Sequence, residues 1–233
     1  MFTISKSSRS FLSRLPIIRK KLDSLGLLAI GDHVSFIRFS AETGAVIDEH
    51  REIGCKFITI GSPGESGFPG GADYSRTIDS LNRIGEAVQK AGMRLLYHNH
   101  AGELKPSKNG KSILEHLMDD TDPGLLYLEP DLGWIKIGGG EPEFYLEKYR
   151  NRCPVVHFKD FIFSDASKEK YVFRPTGYGQ MNNAVLLKKV LSFEKLPEWY
   201  VVDHDCAYEG DIFFELKISL DFFINLTKLY LHY

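Results

Sequence analysis

Two histidines, an asparagine and a glutamate follow an apolar run in the segment LLYHNHAGEL at residues 95–104. On an extended strand alternate side chains share a face, so we expect His98 and His100 to point one way. Asn99 then faces the helices, where its amide should bond to backbone groups. Two imidazoles on one face can bind a metal, hold a polar substrate, or form a structural hydrogen-bonded pair. The segment alone leaves these alternatives open, so the surrounding elements must be considered.

Short apolar runs alternate along the chain with longer stretches of helical period. Strands are predicted to begin near residues 27, 57, 94, 125, 154 and 199. The first is assigned to LGLLAIGDHV (26–35), followed by a helix over 41–54, and a polar loop is expected after PVVHFKDF (154–161). Strict alternation of apolar strands and helices predicts a parallel α/β sheet with helices outside it. Because no linker or change in composition divides the chain, we expect a single domain over residues 1–233.

Polar residues fall at the carboxyl end of nearly every predicted strand, in GDH, GSPGE, HNHAGE, EPDLGW, HFKD and DHD. In a parallel α/β fold the active site is built at that edge. A doubly wound sheet that binds nucleotides usually carries a glycine-rich phosphate loop, and neither GxGxxG nor GxxxxGK[ST] occurs here. The pattern therefore favours a barrel.

These strand-end residues form a mixed set of carboxylates, imidazoles and one ammonium group. They are His98, His100, Glu103, Glu129, Asp131, His157, Lys159, Asp160, Asp203, His204 and Asp205. A carboxylate and imidazole site without thiolates suits Mn²⁺, Mg²⁺, Co²⁺ or Zn²⁺. Such an ion polarises a carbonyl oxygen while a nearby carboxylate moves a proton. Singly, each residue has a structural alternative: Asp160 and Asp203 could cap helices, and His157 could be a core histidine. Because such residues recur at the ends of six predicted strands, the pattern favours a functional site over these separate structural roles.

Composition excludes several classes of function. The chain has 29 basic and 31 acidic residues, so it has no field that would attract nucleic acid or an anionic membrane. Three widely spaced cysteines, Cys55, Cys153 and Cys206, fit reduced thiols better than a disulfide framework. No signal-peptide core and no apolar run of about 18 residues is present in the sequence. We therefore expect a cytoplasmic protein.

The order of YHNHAGEL, EPDLGWIKIGGGEPEFYLEKYRNR, VVHFKDF, TGYGQMNNAVLLKKV and WYVVDHD resembles the xylose-isomerase-like TIM barrels. This family includes sugar-phosphate isomerases, ketose epimerases and inosose dehydratases, and the likeness runs from about residue 15 to the C-terminus. It implies that Asp131, His157 and Asp203 bind one divalent metal ion. The family usually has glutamate where Asp203 stands, and a glutamate on the strand that here ends in YHNH. The resemblance leaves His98 or Glu103 as the substitute first ligand, and we assign His98.

The resemblance also implies an isomerase or epimerase that acts on a small sugar or polyol. It assigns proton transfer to Glu103 and Asp203 with Lys159, and substrate binding to five residues: His98, His100, Trp134, Lys159 and Asp205. Trp134 has core packing as an equal alternative. An inosose-type dehydratase remains an alternative, as does a catalytically inactive sugar-binding relic. DNA endonucleases of the family need basic surfaces, which the near-neutral charge argues against.

The N-terminal region is short for this fold. Only 26 residues precede the first predicted strand, which is too few for the two further β/α units of an eightfold barrel. The sequence therefore predicts a TIM-type barrel short of one or two N-terminal units, with MFTIS as a remnant. Exposed strand edges need cover, so we expect a homodimer or a seal by the N-terminal segment. A shortened sequence is the alternative.

Overall fold

Buried aliphatic side chains mark the strands of the computed structural model, which describes residues 14–207 and 210–230. All four side chains of β2 (Phe57–Ile60) are buried, as expected for a parallel strand covered on both faces. Residue contacts divide the chain into two units. The first contains the described residues of Met1–His98 and Pro106–Tyr127, and the second contains those of Asn99–Lys105 and Leu128–Tyr233.

The first unit is built around a parallel sheet with the strand order β1-β2-β3-β4. Its strands are β1 (Gly31–His33), β2, β3 (Arg94–His98) and the first half of β4 (Leu126–Glu129). Its helices are α1 (Leu15–Ser24), α2 (Phe36–Ala41), α3 (Thr43–Ile53), α4 (Tyr74–Lys90) and α5 (Ile113–Asp120), with 3₁₀ turns at Glu65–Gly67 and Lys108–Gly110. The register places Phe57 of β2 beside Gly31 of β1 and Arg94 of β3. These three strands therefore run in the same direction toward one edge.

Helix α4 shows how a helical period in the sequence becomes a buried face. Leu81, Ile84 and Val88 recur at spacings of three and four residues, and all three are buried. Gly85 lies beside them, at a position where a Cβ atom would be 2.6 Å from the carbonyl oxygen of Leu125. Glycine therefore permits a close approach between the helix and the chain that enters β4.

The second unit combines a two-stranded parallel sheet with an antiparallel hairpin. Its strands are the second half of β4, β5 (Val155–Phe158), β6 (Asp160–Phe163), β7 (Tyr171–Arg174) and β8 (Trp199–Val202). Its helices are α6 (Leu132–Ile137), α7 (Pro142–Lys148), α8 (Asn183–Leu191) and α9 (Ile212–Tyr230), with a 3₁₀ turn at Ala101–Leu104. Strand β5 pairs in parallel with β8, and a parallel bridge joins Asp131 to His157. These pairings bring the polar ends of β4, β5 and β8 to the same edge.

The parallel strands confirm the predicted α/β class, and five of the six begin within one residue of the predicted position. The first is different, because β1 contains only Gly31–His33. Leu27 and Leu28 lie outside it and are 54% and 73% exposed, so their apolar character does not mark a buried strand. The helix predicted over 41–54 is found as α3, which begins at Thr43 because the backbone is non-helical at Glu42. The short helix α2 before it was not predicted.

The polar loop expected after residue 161 contains a hairpin instead. Strands β6 and β7 pair antiparallel, with Asp160 opposite Arg174 and Phe163 opposite Tyr171. Aromatic and β-branched residues on both strands favour this pairing, but each strand has only four residues. Such short runs are hard to distinguish from a loop in the sequence.

None of the described helices has the length and apolar character needed to cross a bilayer. The sequence MFTIS lies outside the described residues, so the shortfall of one or two N-terminal units remains a prediction. The single domain over residues 1–233 and the homodimer also remain predictions.

Candidate active site

Asp131 lies in the turn between β4 and α6, where three hydrogen bonds fix it. Its Oδ1 accepts a bond from Trp134 N (2.8 Å) and thereby caps α6. Asp131 N donates to Asn99 Oδ1 (3.0 Å), and Asn99 Nδ2 donates to the Asp131 carbonyl oxygen (3.4 Å). The predicted backbone partners of Asn99 are thus confirmed. The Asp131 side chain is fully buried, and burial raises its pKa to about 6 although Lys159 opposes the shift.

The ring of His157, on β5, lies between two carboxylates. Its Nε2 is 3.2 Å from Glu129 Oε1, and its Nδ1 is 3.2 Å from Asp203 Oδ2. Burial lowers the pKa of this imidazole, but Glu129 and Asp203 outweigh burial and raise the pKa to about 10. Metal ions bind the neutral ring, so an ion that binds His157 displaces its proton.

Lys159 places an ammonium group among three carboxylates. Its Nζ is 3.0 Å from Asp131 Oδ2, 3.1 Å from Asp203 Oδ2 and 2.6 Å from Asp205 Oδ2. The Lys159 side chain is fully buried, whereas those of Asp203 and Asp205 are 26% and 42% exposed. Burial by itself lowers the pKa of the ammonium, but the three carboxylates raise it above its ordinary value. Lys159 therefore stays charged and holds Asp131, Asp203 and Asp205 around one point.

The geometry of Asp131, His157 and Asp203 fits a divalent cation. Each offers one ligand atom, and these atoms lie within 4.8 Å of one another. Donors bound to one ion at about 2.0 to 2.2 Å are separated by at most about 4.4 Å, so only small side-chain movements are needed. Asp131 Oδ2 is buried and receives no well-directed hydrogen bond within the described part of the chain. Together with Glu129, which contacts His157, and Asp205, which contacts Lys159, the cluster contains four carboxylates. Once the His157 proton is displaced, the Lys159 ammonium is the only positive charge among these six side chains, and a divalent cation offsets the excess negative charge.

An aromatic group lies beside the Lys159 ammonium. Lys159 Nζ is 4.9 Å from the centre of the Trp134 ring and 5.3 Å from that of Phe173. Trp134 makes edge-on contacts with Phe173 and Tyr171 of the hairpin, and its ring centre is 5.7 Å from that of His100. Trp134 thus has the packing contacts that the sequence allowed and lies next to the charged cluster.

The other two predicted residues of the YHNHAGE segment have different surroundings. Strand β3 ends at His98, so the alternation expected for His98 and His100 does not extend to His100. His98 lies in the first unit, with its ring centre 4.8 Å from that of His33. Glu103 Oε2 accepts a hydrogen bond from His100 N (3.1 Å) and forms a capping box at the 3₁₀ turn. Metal binding by His98 and proton transfer by Glu103 remain predictions.

Two residues of the site were not assigned a role from the sequence. Glu129 contacts His157 and lies two residues before Asp131, so the alternation argument applied to the histidines would have placed both carboxylates on one face. Phe173 carries no such signal, because it lies in the segment that was predicted to be a loop. Its position beside Lys159 follows from the hairpin.

Asp160 lies next to Lys159 and organises the loop that follows β7. Its carboxylate accepts hydrogen bonds from four backbone N–H groups, those of Phe161 (2.9 Å), Gly177 (2.9 Å), Gly179 (3.2 Å) and Met181 (2.9 Å). Burial raises the pKa of this carboxyl, and the four donors oppose the shift. A Cβ atom at Gly179 would be 2.2 Å from Asp160 Oδ1, so glycine is needed for the loop to close around the carboxylate. Asp160 is therefore a loop anchor rather than a helix cap.

The comparison with protein families agrees with this arrangement. The model of a family described as "xylose isomerase-like TIM barrel" matches residues 38–217, which is most of the chain. The protein belongs to this family. Its α/β fold and parallel strands are those of a xylose isomerase-like barrel, as the sequence predicted.

Curated relatives of this xylose isomerase-like protein include inosose dehydratases. The chain is 35% identical over 88 residues to the inosose dehydratase of Bacillus cereus (strain AH820), a match that covers 38% of this chain and 28% of the relative. It is 30% identical over 148 residues to that of Clostridium beijerinckii, covering 62% of this chain and 47% of the relative. The matched region thus spans less than half of these relatives.

Solved structures show the same fold over most of the chain. A sugar phosphate isomerase/epimerase from Parabacteroides distasonis superposes with a TM-score of 0.72 at 24% identity, covering 89% of this chain and 76% of that one. The apo 3-keto-D-glucoside 4-epimerase of E. coli gives a TM-score of 0.66 at 11% identity over 94% of this chain and 87% of that one. The IOLI protein with a bound zinc atom gives 0.65 at 9% identity, covering 93% of this chain and 82% of that one. At these identities the likeness shows the fold.

Proposed function

We propose that this protein is a divalent-metal-dependent sugar isomerase or epimerase that transfers a proton at a carbon next to a carbonyl. The observation that carries this proposal is the arrangement around Lys159. A buried ammonium, three carboxylates within 3.1 Å of it and the ring of His157 meet at one strand edge. Enolisation needs a stabiliser for a developing oxyanion and a carrier for the proton, and this cluster contains both.

We assign the metal ion to Asp131, His157 and Asp203, which all belong to the second unit. The ion, when bound, polarises the carbonyl group of the substrate and so acidifies the neighbouring C–H bond. The identity of the ion is left among Mn²⁺, Mg²⁺, Co²⁺ and Zn²⁺, because a mixed carboxylate and imidazole set accepts each of them.

The protein groups around the ion are assigned to proton transfer and substrate orientation. Asp203 is partly exposed and is our candidate for removing and returning the proton, with Glu103 as its partner. Lys159 is assigned to orient the substrate oxygen on which negative charge develops, which requires one of its three carboxylate contacts to open when the substrate binds. Asp205 is the most exposed of the three carboxylates around Lys159, so it can orient a hydroxyl group of the sugar.

His100 and Trp134 are assigned to the sugar itself. The Trp134 indole packs edge-on against the hairpin, and one of its faces supports the apolar face of a sugar ring. The ring nitrogens of His100 can accept or donate a hydrogen bond to a hydroxyl group. The substrate that we propose for these groups is a small sugar or polyol.

A dehydratase is the second candidate function, and the inosose dehydratase relatives favour it. Removal of the proton next to the carbonyl is the same first step. The hydroxyl group on the following carbon then leaves as water, with an acid to protonate it. A lyase of this kind uses the same residues, so the cluster supports both reactions. A catalytically inactive sugar-binding relic would bind a sugar but perform neither reaction.

Incubation in D₂O distinguishes these functions. The purified protein is first tested for bound metal and then mixed with ketoses, keto-sugars and an inosose. Deuterium at the carbon next to the carbonyl without loss of water supports an isomerase or epimerase. Loss of one water, which gives an enol that tautomerises to a 1,2-diketone, supports a dehydratase. Asp131→Asn should lose both metal and exchange, while the exposed control Asp221→Asn should keep both. Neither metal nor exchange in the wild type would refute the proposal in favour of the relic.

A further inference from the structure

A second buried ionisable pair lies behind the candidate active site. His204 Nε2 is 2.5 Å from Glu215 Oε2, and the two side chains are only 1% and 4% exposed. Glutamate is rarely buried so completely unless a partner compensates it. Helix α9 nevertheless buries Glu215 while its Phe213 and Phe214 are 80% and 61% exposed. The rotation of α9 about its axis is thus set by a polar contact rather than by its apolar side chains. We therefore looked for a role of this contact other than burial of apolar surface.

The position of His204 in the chain connects this pair to the reaction centre. Asp203 and Asp205, its two neighbours, both contact the Lys159 ammonium. Asp203 N also donates to the carbonyl oxygen of Phe158 (3.0 Å), so the segment continues the line of β8 beside β5. Strand β8 ends at Val202, and His204 contacts Glu215 of α9 while the residues on either side of it contact Lys159. The His204 contact therefore attaches to α9 the same short segment whose two carboxylates surround the ammonium.

The same face of α9 also holds the loop anchored by Asp160. Ser219 Oγ donates to the carbonyl oxygen of Glu215 (2.9 Å) and accepts a hydrogen bond from Thr176 N (2.8 Å). Ser219 and Thr176 are fully buried. One turn of α9 thus contacts both the segment that carries Asp203 and the loop that begins at Thr176.

We propose that Glu215 is a positioning residue: through His204 it fixes the strand end that places Asp203 and Asp205 around Lys159 and the metal ion. This inference rests on the proposed metal-dependent function. Neither Glu215 nor His204 is assigned a role in proton transfer. Their effect is exerted on geometry, because Asp203 has to face His157 and Lys159 at the same time. Residues that orient metal ligands from behind typically change metal affinity by about 10- to 100-fold when they are replaced.

Two amide substitutions at position 204 separate this role from a general structural one. The side chain in His204→Gln is long enough to place an N–H group near the position of the histidine Nε2, whereas that in His204→Asn is too short to reach Glu215. Both variants remove the imidazole, so they differ mainly in contact with Glu215. Glu215→Met removes the acceptor from the other side at similar volume, and Asp221→Met is the matched control on the exposed face of the same helix.

The measurements are Mn²⁺ affinity by calorimetry, urea unfolding of the metal-free protein, and amide exchange of residues 199–206. We expect His204→Asn and Glu215→Met to bind Mn²⁺ at least about tenfold more weakly, and His204→Gln and Asp221→Met to stay within about threefold of the wild type. Equal Mn²⁺ affinity in His204→Asn and His204→Gln would overturn the proposal. If Glu215→Met does not fold, the proposal is tested by the difference in Mn²⁺ affinity between His204→Asn and His204→Gln alone.

Failure of the proposed function gives a different result. If the wild type binds neither Mn²⁺ nor Zn²⁺, the metal-dependent function is refuted, and amide exchange of the metal-free protein then decides the positioning role. Faster exchange at residues 199–206 in His204→Asn than in His204→Gln supports positioning of this strand end. Identical exchange in the two variants overturns it.

Discussion

Replacing Lys159 by methionine removes an ammonium group that lies within 3.1 Å of carboxylate oxygens of Asp131, Asp203 and Asp205. Unit charges about 3 Å apart attract by roughly 5 kcal/mol at an effective dielectric constant of about 20, and desolvation of the ammonium offsets much of this. Asp131 dominates the result, because its side chain is fully buried whereas that of Asp205 is 42% exposed. We expect Lys159→Met to lose about 3 to 5 kcal/mol of unfolding free energy in the metal-free protein.

Urea unfolding followed by circular dichroism in the presence of EDTA measures this loss. The matched control is Lys217→Met, because Lys217 and Asp221 form an ion pair of the same 2.6 Å length on the surface. The control should change the unfolding free energy by less than about 1 kcal/mol, since exposed pairs contribute little. Adding Asp131→Asn to Lys159→Met should recover part of the loss, because the unpaired buried charge is then gone. A loss below about 1 kcal/mol in Lys159→Met, or no recovery in the double variant, would refute this account of the cluster.

Three further predictions concern other parts of the chain. His157→Ala should abolish binding of Mn²⁺ in calorimetry with little loss of fold, and unchanged affinity would remove His157 from the ligand set. His50 is buried, which lowers its pKa below the ordinary 6.5, so its stabilisation is complete above about pH 6.5 and is lost as the pH falls through the folded pKa. The loss of unfolding free energy between about pH 7.5 and pH 5 should therefore be smaller in His50→Gln than in the wild type, and equal losses would contradict this. The homodimer, which was predicted as one way to cover exposed strand edges, can be tested at α9, where Phe213 and Leu220 are 80% and 52% exposed. Aspartate at both positions should convert the dimer to a monomer in light scattering, and a monomeric wild type would refute the dimer.

The edge of the sheet that carries the site could be predicted from the sequence. Polar residues follow buried parallel strands, and the carboxyl ends of parallel strands lie at the same edge of a sheet. Asp131, His157, Lys159, Asp203 and Asp205 were all predicted on that ground or by family resemblance, and the structure brings them together.

The errors have physical reasons. An apolar run such as the one containing Leu27 does not show which of its residues will form hydrogen bonds with the neighbouring strand. The predicted start of β1 was therefore wrong. The contact between His204 and Glu215 depends on the rotation of α9 about its axis, which periodicity predicts only when the apolar face is the buried one. The hairpin was missed because each strand is too short to show a period.

The capping box of Glu103 is a different case, because its signal is present in the sequence. A histidine followed three residues later by a glutamate at the start of a turn has the spacing of a capping pair. The family resemblance assigns Glu103 to proton transfer, and this assignment remains a prediction. Local backbone hydrogen bonds and catalysis compete for the same residue types at strand ends.

The carboxylate of Asp160 has a consequence for dividing the chain. Three of its four backbone donors, Gly177, Gly179 and Met181, come 17 to 21 residues later in the sequence. A fragment that ends before Gly177 would therefore bury the Asp160 charge without three of the four N–H groups that compensate it. Two-fragment versions of the protein should reassemble more readily when the break follows α8 than when it falls in the hairpin between β6 and β7. The exposed residues after Leu191 are thus the preferred place for a split reporter.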